Sequence, residues 1–130
     1  MDWSPSLLVG NTKIDDQHKQ LFELLNSLER AAGSNDKSQA YATASTLQKY
    51  VEEHLREEEA LLRSIHYLDY ANHCVLHQKF ERKLESLVSR LTTEEPQNIL
   101  RDMKSFIATW LFNHISFIDQ LYTPYLPEQP

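Results

Sequence analysis

The chain has 130 residues, 41% of them hydrophobic and 25% charged, which is enough for one domain with a real core and too few for two. Its net charge of −6 argues against nucleic-acid or anionic-membrane partners, and no stretch approaches the length of a membrane span. Cys74 is the only cysteine, so an intrachain disulfide is excluded and a reducing, cytoplasmic setting is expected; the acidic start "MDWSPSLLVG" has too short an apolar run for a signal peptide.

Only Gly10 and Gly33 are glycine, which leaves few residues for hairpin turns. An arm of about fifteen residues comes first, with Trp3, Pro5, Leu7, Leu8 and Ile14 expected to pack across the rest. From Gln17 to Ala32, Leu21, Leu24, Leu25, Leu28 and Ala32 form the stripe of an amphipathic helix, and Gly33 follows where a terminating glycine belongs. "SNDKS" reads as a turn and cap. A second helix spans about Ser38 to Arg63, with Tyr41, Leu47, Val51, Leu55, Leu61 and Leu62 on its apolar side, and "SIHYLD" breaks it. A third runs from about Tyr70 to Leu91 through Phe80, Leu84, Leu87 and Val88. "TTEEP" reads as a helix start capped by Thr92 or Thr93, and the fourth helix continues to about Tyr122, where "TPYLPEQP" stops it. The expected architecture is a single all-α domain over residues 1–130, an antiparallel up-down-up-down four-helix bundle with an N-terminal arm and a short C-terminal tail.

The histidines break the ordinary pattern of such a bundle. On the second helix His54 and Glu58 are four apart, and on the third so are His73 and His77. Four residues overshoot one α-helical turn by about 40°, so each pair shares a face. His114 and Asp119 on the fourth helix are five apart, an offset of about 140°. A bend, a loosened turn or a favourable rotamer is needed to point both inward. His18 stands alone near the start of the first helix. A lone histidine is more often a surface or satisfied core residue, and the acids in "REEEALL" read as a solvated face. Glu57 and Glu59 fit that reading; Glu58 departs from it through its spacing from His54. His66 has no partner at useful spacing and reads as structural. Cys74, turned about 100° from His73, reads as a small packing residue.

Five imidazoles and two carboxylates are too many donors for one tetrahedral zinc. They suit two octahedral-preferring metals such as iron, although zinc, copper or nickel could use the same donors. With both carboxylates and one solvent oxygen bridging, three histidines complete one metal and two leave the other with an open position.

These segments together resemble the hemerythrin family, in its stand-alone bacterial form, the bacteriohemerythrins. The matching stretches are "W…GNTKIDDQHKQLF", "HLREEEALL", "HCVLH" and "WLFNHISFIDQLY", which cover nearly the whole chain. Leu68 and Leu55 depart from residues common in that family, and neither is a candidate ligand. The resemblance implies two iron ions with an oxo or hydroxo bridge. His73, His77 and His114 would hold one iron and His18 and His54 the other, with Glu58 and Asp119 between them. It implies reversible dioxygen binding at the five-coordinate iron, for oxygen storage, transport or delivery, and no enzymatic activity. Uptake that moves two electrons and one proton onto oxygen together adds no net charge to a buried pocket, where uncompensated charge is costly.

The alternatives are a di-iron oxidase or peroxidase, an iron store, or a sensor of oxygen or nitric oxide. Di-iron enzymes of the ferritin type use Glu-x-x-His pairs; no glutamate here lies three before a histidine. Azide and nitric oxide are possible small ligands, and an oxygen-consuming client enzyme is a possible partner. Leu111, Trp110 and Phe22 are expected to wall the oxygen pocket. Gln17 and Tyr122 are expected to hold ligands from behind, because a ligating imidazole needs a partner for its other nitrogen.

Overall fold

The computed structural model describes residues 3–127; the first two and last three residues of the expected arm and tail lie outside the described residues. Four long helices make the bundle: α1 Thr12–Ala32, α2 Lys37–Ser64, α3 Tyr70–Ser89 and α4 Pro96–Asn113. No strand occurs among the described residues. Each helix packs on the next and α4 returns to α1, the closed antiparallel order that short connections impose. No helix of the described residues is long and apolar enough to cross a membrane.

Local chemistry sets the helix ends, and in three places it differs from the expectation. α1 starts five residues before Gln17, because the Asn11 side chain accepts the Ile14 N–H at 3.0 Å and caps it there. The arm is correspondingly shorter. Gly33 ends α1 with φ −82°, a right-handed conformation open to any residue, so its lack of a side chain is not used. Thr92 and Thr93 do not cap α4. They lie in and just after a 3₁₀ turn, Arg90–Thr92, and the helix begins only at Pro96, whose fixed φ favours the first helical position. Elsewhere the expectation holds: Asp36 caps α2 by accepting the Gln39 N–H at 3.1 Å. His66, at φ +53°, turns the chain between α2 and α3. Tyr41, expected on the apolar side of α2, is 40% exposed because its hydroxyl reaches out to donate to the Leu91 carbonyl at 3.0 Å.

Beyond Asn113 the fourth helix widens. His114–Ile118 is a π turn, closed by the Asp119 N–H bonding to the His114 carbonyl, and a 3₁₀ turn, Asp119–Leu121, follows. An i→i+5 bond sets residues five apart above one another. This is the loosened turn that the His114–Asp119 spacing required.

The apolar interior comes in two pieces. The larger contains Leu21, Leu28, Leu47, Leu55, Phe80, Leu84, Met103, Ile107, Leu111 and Ile115 among others. The smaller consists of Val9, Ile14, Leu62 and Tyr122. Between them, on every helix, lies a buried polar residue: His18 between Ile14 and Leu21, Glu58 between Leu55 and Leu62, His73 and His77 before Phe80, and Asp119 between Ile115 and Tyr122. The arm serves both pieces, Leu7 entering the larger and Val9 the smaller, while Lys19 lies over the Trp3 ring at 4.6 Å.

The arm is fastened by Asp15. This buried carboxylate on α1 accepts the N–H groups of Val9 at 2.8 Å and Gly10 at 3.2 Å. Gly10 has φ +98°, a conformation that favours glycine, and this bends the arm back onto α1. Asp15→Ala leaves two backbone donors unsatisfied and is expected to cost about 1–3 kcal/mol, read from urea unfolding, with Asp15→Asn intermediate because its amide oxygen can still accept.

Candidate metal centre

The seven expected ligands meet in the polar layer between the two apolar clusters, each 5% exposed or less. α1 brings His18, α2 brings His54 and Glu58, α3 brings His73 and His77, and the end of α4 brings His114 and Asp119. The same-face spacing on α2 and α3 and the π turn on α4 put all of them inward.

The carboxylates divide the layer into two halves. Oε1 of Glu58 faces three imidazoles, with His73 Nε2 at 2.6 Å, His77 Nε2 at 3.1 Å and His114 Nε2 at 3.8 Å. Oε2 of the same carboxylate faces the other two, His18 Nε2 at 3.7 Å and His54 Nε2 at 3.9 Å. Asp119 repeats the pattern: Oδ1 lies 3.0 Å from His114 Nε2 and 3.4 Å from His73 Nε2, and Oδ2 lies 3.5 Å from His18 Nε2. Each carboxylate therefore has one oxygen in a three-histidine half and one in a two-histidine half. Two donor groups close enough to hold an ion follow, Glu58 with His73, His77 and His114, and Glu58 with His18 and His54.

The hydrogen bonds behind the imidazoles fix which nitrogen carries the proton. Gln17 donates its amide N–H to Glu57, so its oxygen is the end that meets His54 Nδ1, at 2.7 Å. An amide oxygen only accepts, so His54 Nδ1 carries the hydrogen and the lone pair of Nε2 points into the layer. Glu59 Oε2 accepts from His77 Nδ1 at 2.8 Å and fixes that ring in the same way. Tyr122 acts elsewhere than expected: its hydroxyl donates to Glu58 Oε2 at 3.2 Å, holding a carboxylate rather than an imidazole. Glu59 is the residue that the sequence reading placed wrongly. It is not on a solvated face but only 13% exposed in its side chain, clasped by Arg56 at 3.3 Å. No signal in the charged run itself marks it, because its partner His77 lies 18 residues away on α3.

These donors fit a cation. His77 and His73 Nε2 each approach His114 Nε2, at 3.2 and 3.3 Å. Nitrogens about 2.1 Å from a shared ion at right angles would be about 3 Å apart. Both Asp119 oxygens and both His18 nitrogens are buried without a hydrogen-bond partner, which is costly for polar atoms unless something else binds them. The two carboxylates also act on the imidazoles around them. Burial lowers the His114 pKa, but Asp119 and Glu58 outweigh it and push it up to about 9. Burial raises the Glu58 carboxyl, and its bonds with the surrounding imidazoles more than reverse this, holding it well below the usual carboxylate range. At His54 burial wins, taking the imidazole down to about 3. His54 is thus a neutral donor across the physiological range.

A small cavity of about 10 Å³ lies against the two-histidine half, lined by His54 and by Leu21, Val51, Leu55, Phe80, Ile107, Trp110 and Leu111. Trp110 is half-buried and stacked between His114, at 4.2 Å, and Phe80, at 3.9 Å. Phe22, expected in this wall, is instead buried in the larger core cluster; Leu21 faces the cavity in its place. His66 lies apart from the layer, and Cys74 is half-buried.

Comparison with known proteins places the chain. The family model described as the hemerythrin HHE cation binding domain matches residues 9–126. A bacteriohemerythrin from Methylococcus capsulatus is 32% identical over 127 residues, 97% of this chain and 96% of its own. A hemerythrin-like protein from Naegleria gruberi is 31% identical over 121 residues, 93% of this chain and 89% of its own. The crystal structure of a wild-type hemerythrin superposes with TM-score 0.87 at 30% identity, covering 97% of both chains.

Glu58→Gln removes the charge shared by both halves and is expected to lower metal content in both, measured by elemental analysis of purified protein. His66→Ala, outside the layer, is expected to bind metal like the wild type.

Proposed function

The chain belongs to the hemerythrin family, and on that premise we propose that it binds dioxygen reversibly at a di-iron centre, for oxygen storage, transport or delivery. The observation that carries this reading is the placement of the apolar cavity. Of the seven expected ligands only His54 lines it, from the half with two imidazoles and one donor fewer.

His73, His77 and His114 would hold one iron and His18 and His54 the other, with Glu58 and Asp119 spanning both. Two ferrous ions held there would supply the two electrons that dioxygen takes up. The chain's own part is to keep that exchange reversible. His54 stays neutral, so no proton competes for its Nε2 at working pH. Tyr122 holds Glu58 by its Oε2 and limits the carboxylate's freedom to turn toward either half alone. The cavity disfavours water by chemistry: a water needs roughly two to four polar partners, and this wall is almost wholly apolar. Entry of water and of anions, which would displace a weakly held diatomic molecule, is thereby slowed. Nitric oxide, uncharged, would enter at less cost than azide, which must shed its hydration.

An oxidase or peroxidase is the second reading. Five neutral imidazoles against two carboxylates favour binding over oxidative activation, since carboxylates stabilise high-valent iron better. We therefore take the protein to be a carrier rather than an enzyme. An iron store or a sensor lacks support of its own, and delivery to an oxygen-consuming client in the reducing cytoplasm that suits Cys74 fits a carrier.

Purified protein is expected to hold two irons per chain, to colour in air when reduced and to bleach when oxygen is withdrawn, over repeated cycles. Oxygen consumed irreversibly with turnover of an added reductant would establish the oxidase instead. Leu111→Ala tests the cavity. The truncation is expected to cost about 2–5 kcal/mol of stability, to leave the iron content unchanged, and to speed both azide binding and autoxidation. A stability loss with both rates unchanged would make Leu111 ordinary core.

A further inference from the structure

The two halves of the centre are backed by chemically different groups. Behind His77, in the three-histidine half, Glu59 presents a carboxylate oxygen at 2.8 Å from Nδ1. Behind His54, in the two-histidine half, Gln17 presents a carboxamide oxygen at 2.7 Å. The lengths are nearly equal and the charges are not. A carboxylate draws the Nδ1 hydrogen harder than an amide does and makes the opposite nitrogen the stronger donor. Glu59 keeps its influence because it is only 13% exposed. Its counter-charge, Arg56, is 55% exposed and shared with Glu81, so solvent screens the cation more than the anion. On the other side Gln17 passes its amide N–H to Glu57, but that carboxylate is one group further away, 40% exposed and paired with Lys13 at 3.1 Å.

We propose that this pairing of Glu59 with His77 and Gln17 with His54 makes the halves electronically unequal, so that the three-histidine half gives up its electron first. Resting on the di-iron reading, the step is a one-electron oxidation. One electron leaves the ferrous ion of that half for an outer-sphere one-electron oxidant, the ion becomes ferric, and the Nδ1 hydrogen stays shared between His77 and Glu59. Glu59 and Gln17 are positioning residues, acting through the imidazoles. The half beside the cavity is the last to turn ferric, and loss of the first electron already ends two-electron uptake of oxygen.

Spectroelectrochemical titration of the iron-loaded protein with one-electron mediators, alongside iron analysis, tests this. The wild type is expected to oxidise in two resolved steps. Glu59→Gln keeps an acceptor for His77 but removes its charge. It is expected to raise the lower step by about tenfold in the ferric–ferrous equilibrium, which is 59 mV for one electron, and to leave the upper step in place. Gln17→Glu combined with Glu57→Gln exchanges charge and amide behind His54. It is expected to lower the upper step by a similar amount while conserving net charge. Shifts of opposite sign are not what a loss of packing would give. Shifts of the same sign, or no shift with two irons bound, would overturn the proposal. Should Glu59→Gln fail to retain iron, the paired exchange decides alone: a fall in the upper step supports the assignment and an unmoved step refutes it. A wild type that never takes up two irons would refute the di-iron reading itself, an outcome visible in the iron analysis before any potential is measured.

Discussion

Glu58 and Asp119 are carboxylates with no exposure to solvent, and a buried anion costs several kcal/mol unless its surroundings compensate. Most of what distinguishes this bundle follows from meeting that requirement. Compensation must come from all sides, so each of the four helices carries an imidazole to the same height. It is not uniform: burial keeps His54 neutral, while Asp119 and Glu58 draw His114 toward its charged form. And it must be held in place, so Tyr122, Gln17 and Glu59 fix atoms that would otherwise turn. An apolar bundle of the same length needs none of these.

The same requirement accounts for the irregular end of α4. An unbroken α-helix would carry Asp119 well away from His114. The π turn gives up the α register over one turn, and in return both side chains enter one layer. Irregularity here is local: the chain continues through a 3₁₀ turn, and Tyr122 still reaches the smaller cluster. Membership of the hemerythrin family agrees with this layer being the functional centre, and the cavity on its two-histidine side gives the layer an orientation.

Periodicity made the four helices legible, because apolar residues at three- and four-residue steps line one face of an α-helix and would scatter over both faces of a strand. The His54–Glu58 and His73–His77 pairs were legible for the same reason. Features that depend on a partner distant in sequence were not. Glu59 looks like one more acid in a charged run until α3 is placed across from it. Asp15 looks like a first-turn acid until the arm folds back over it. The start of α4 was misplaced because two threonines resemble caps, whereas Pro96 and the 3₁₀ turn before it govern where the helix can begin. The π turn was foreshadowed only as an awkward interval, since a wide turn has no composition of its own.

The polar layer is stoppered at both ends. On one side lie Leu21, Leu55 and Ile115 of the larger apolar cluster, and on the other Val9, Ile14, Leu62 and Tyr122. The arm reaches both, Leu7 on one side and Val9 on the other, and Asp15 ties it down through the Val9 and Gly10 N–H groups. A cation held by the layer would therefore exchange with solvent only when apolar packing opens, which makes the rate of metal release a property of the packing as well as of the donors.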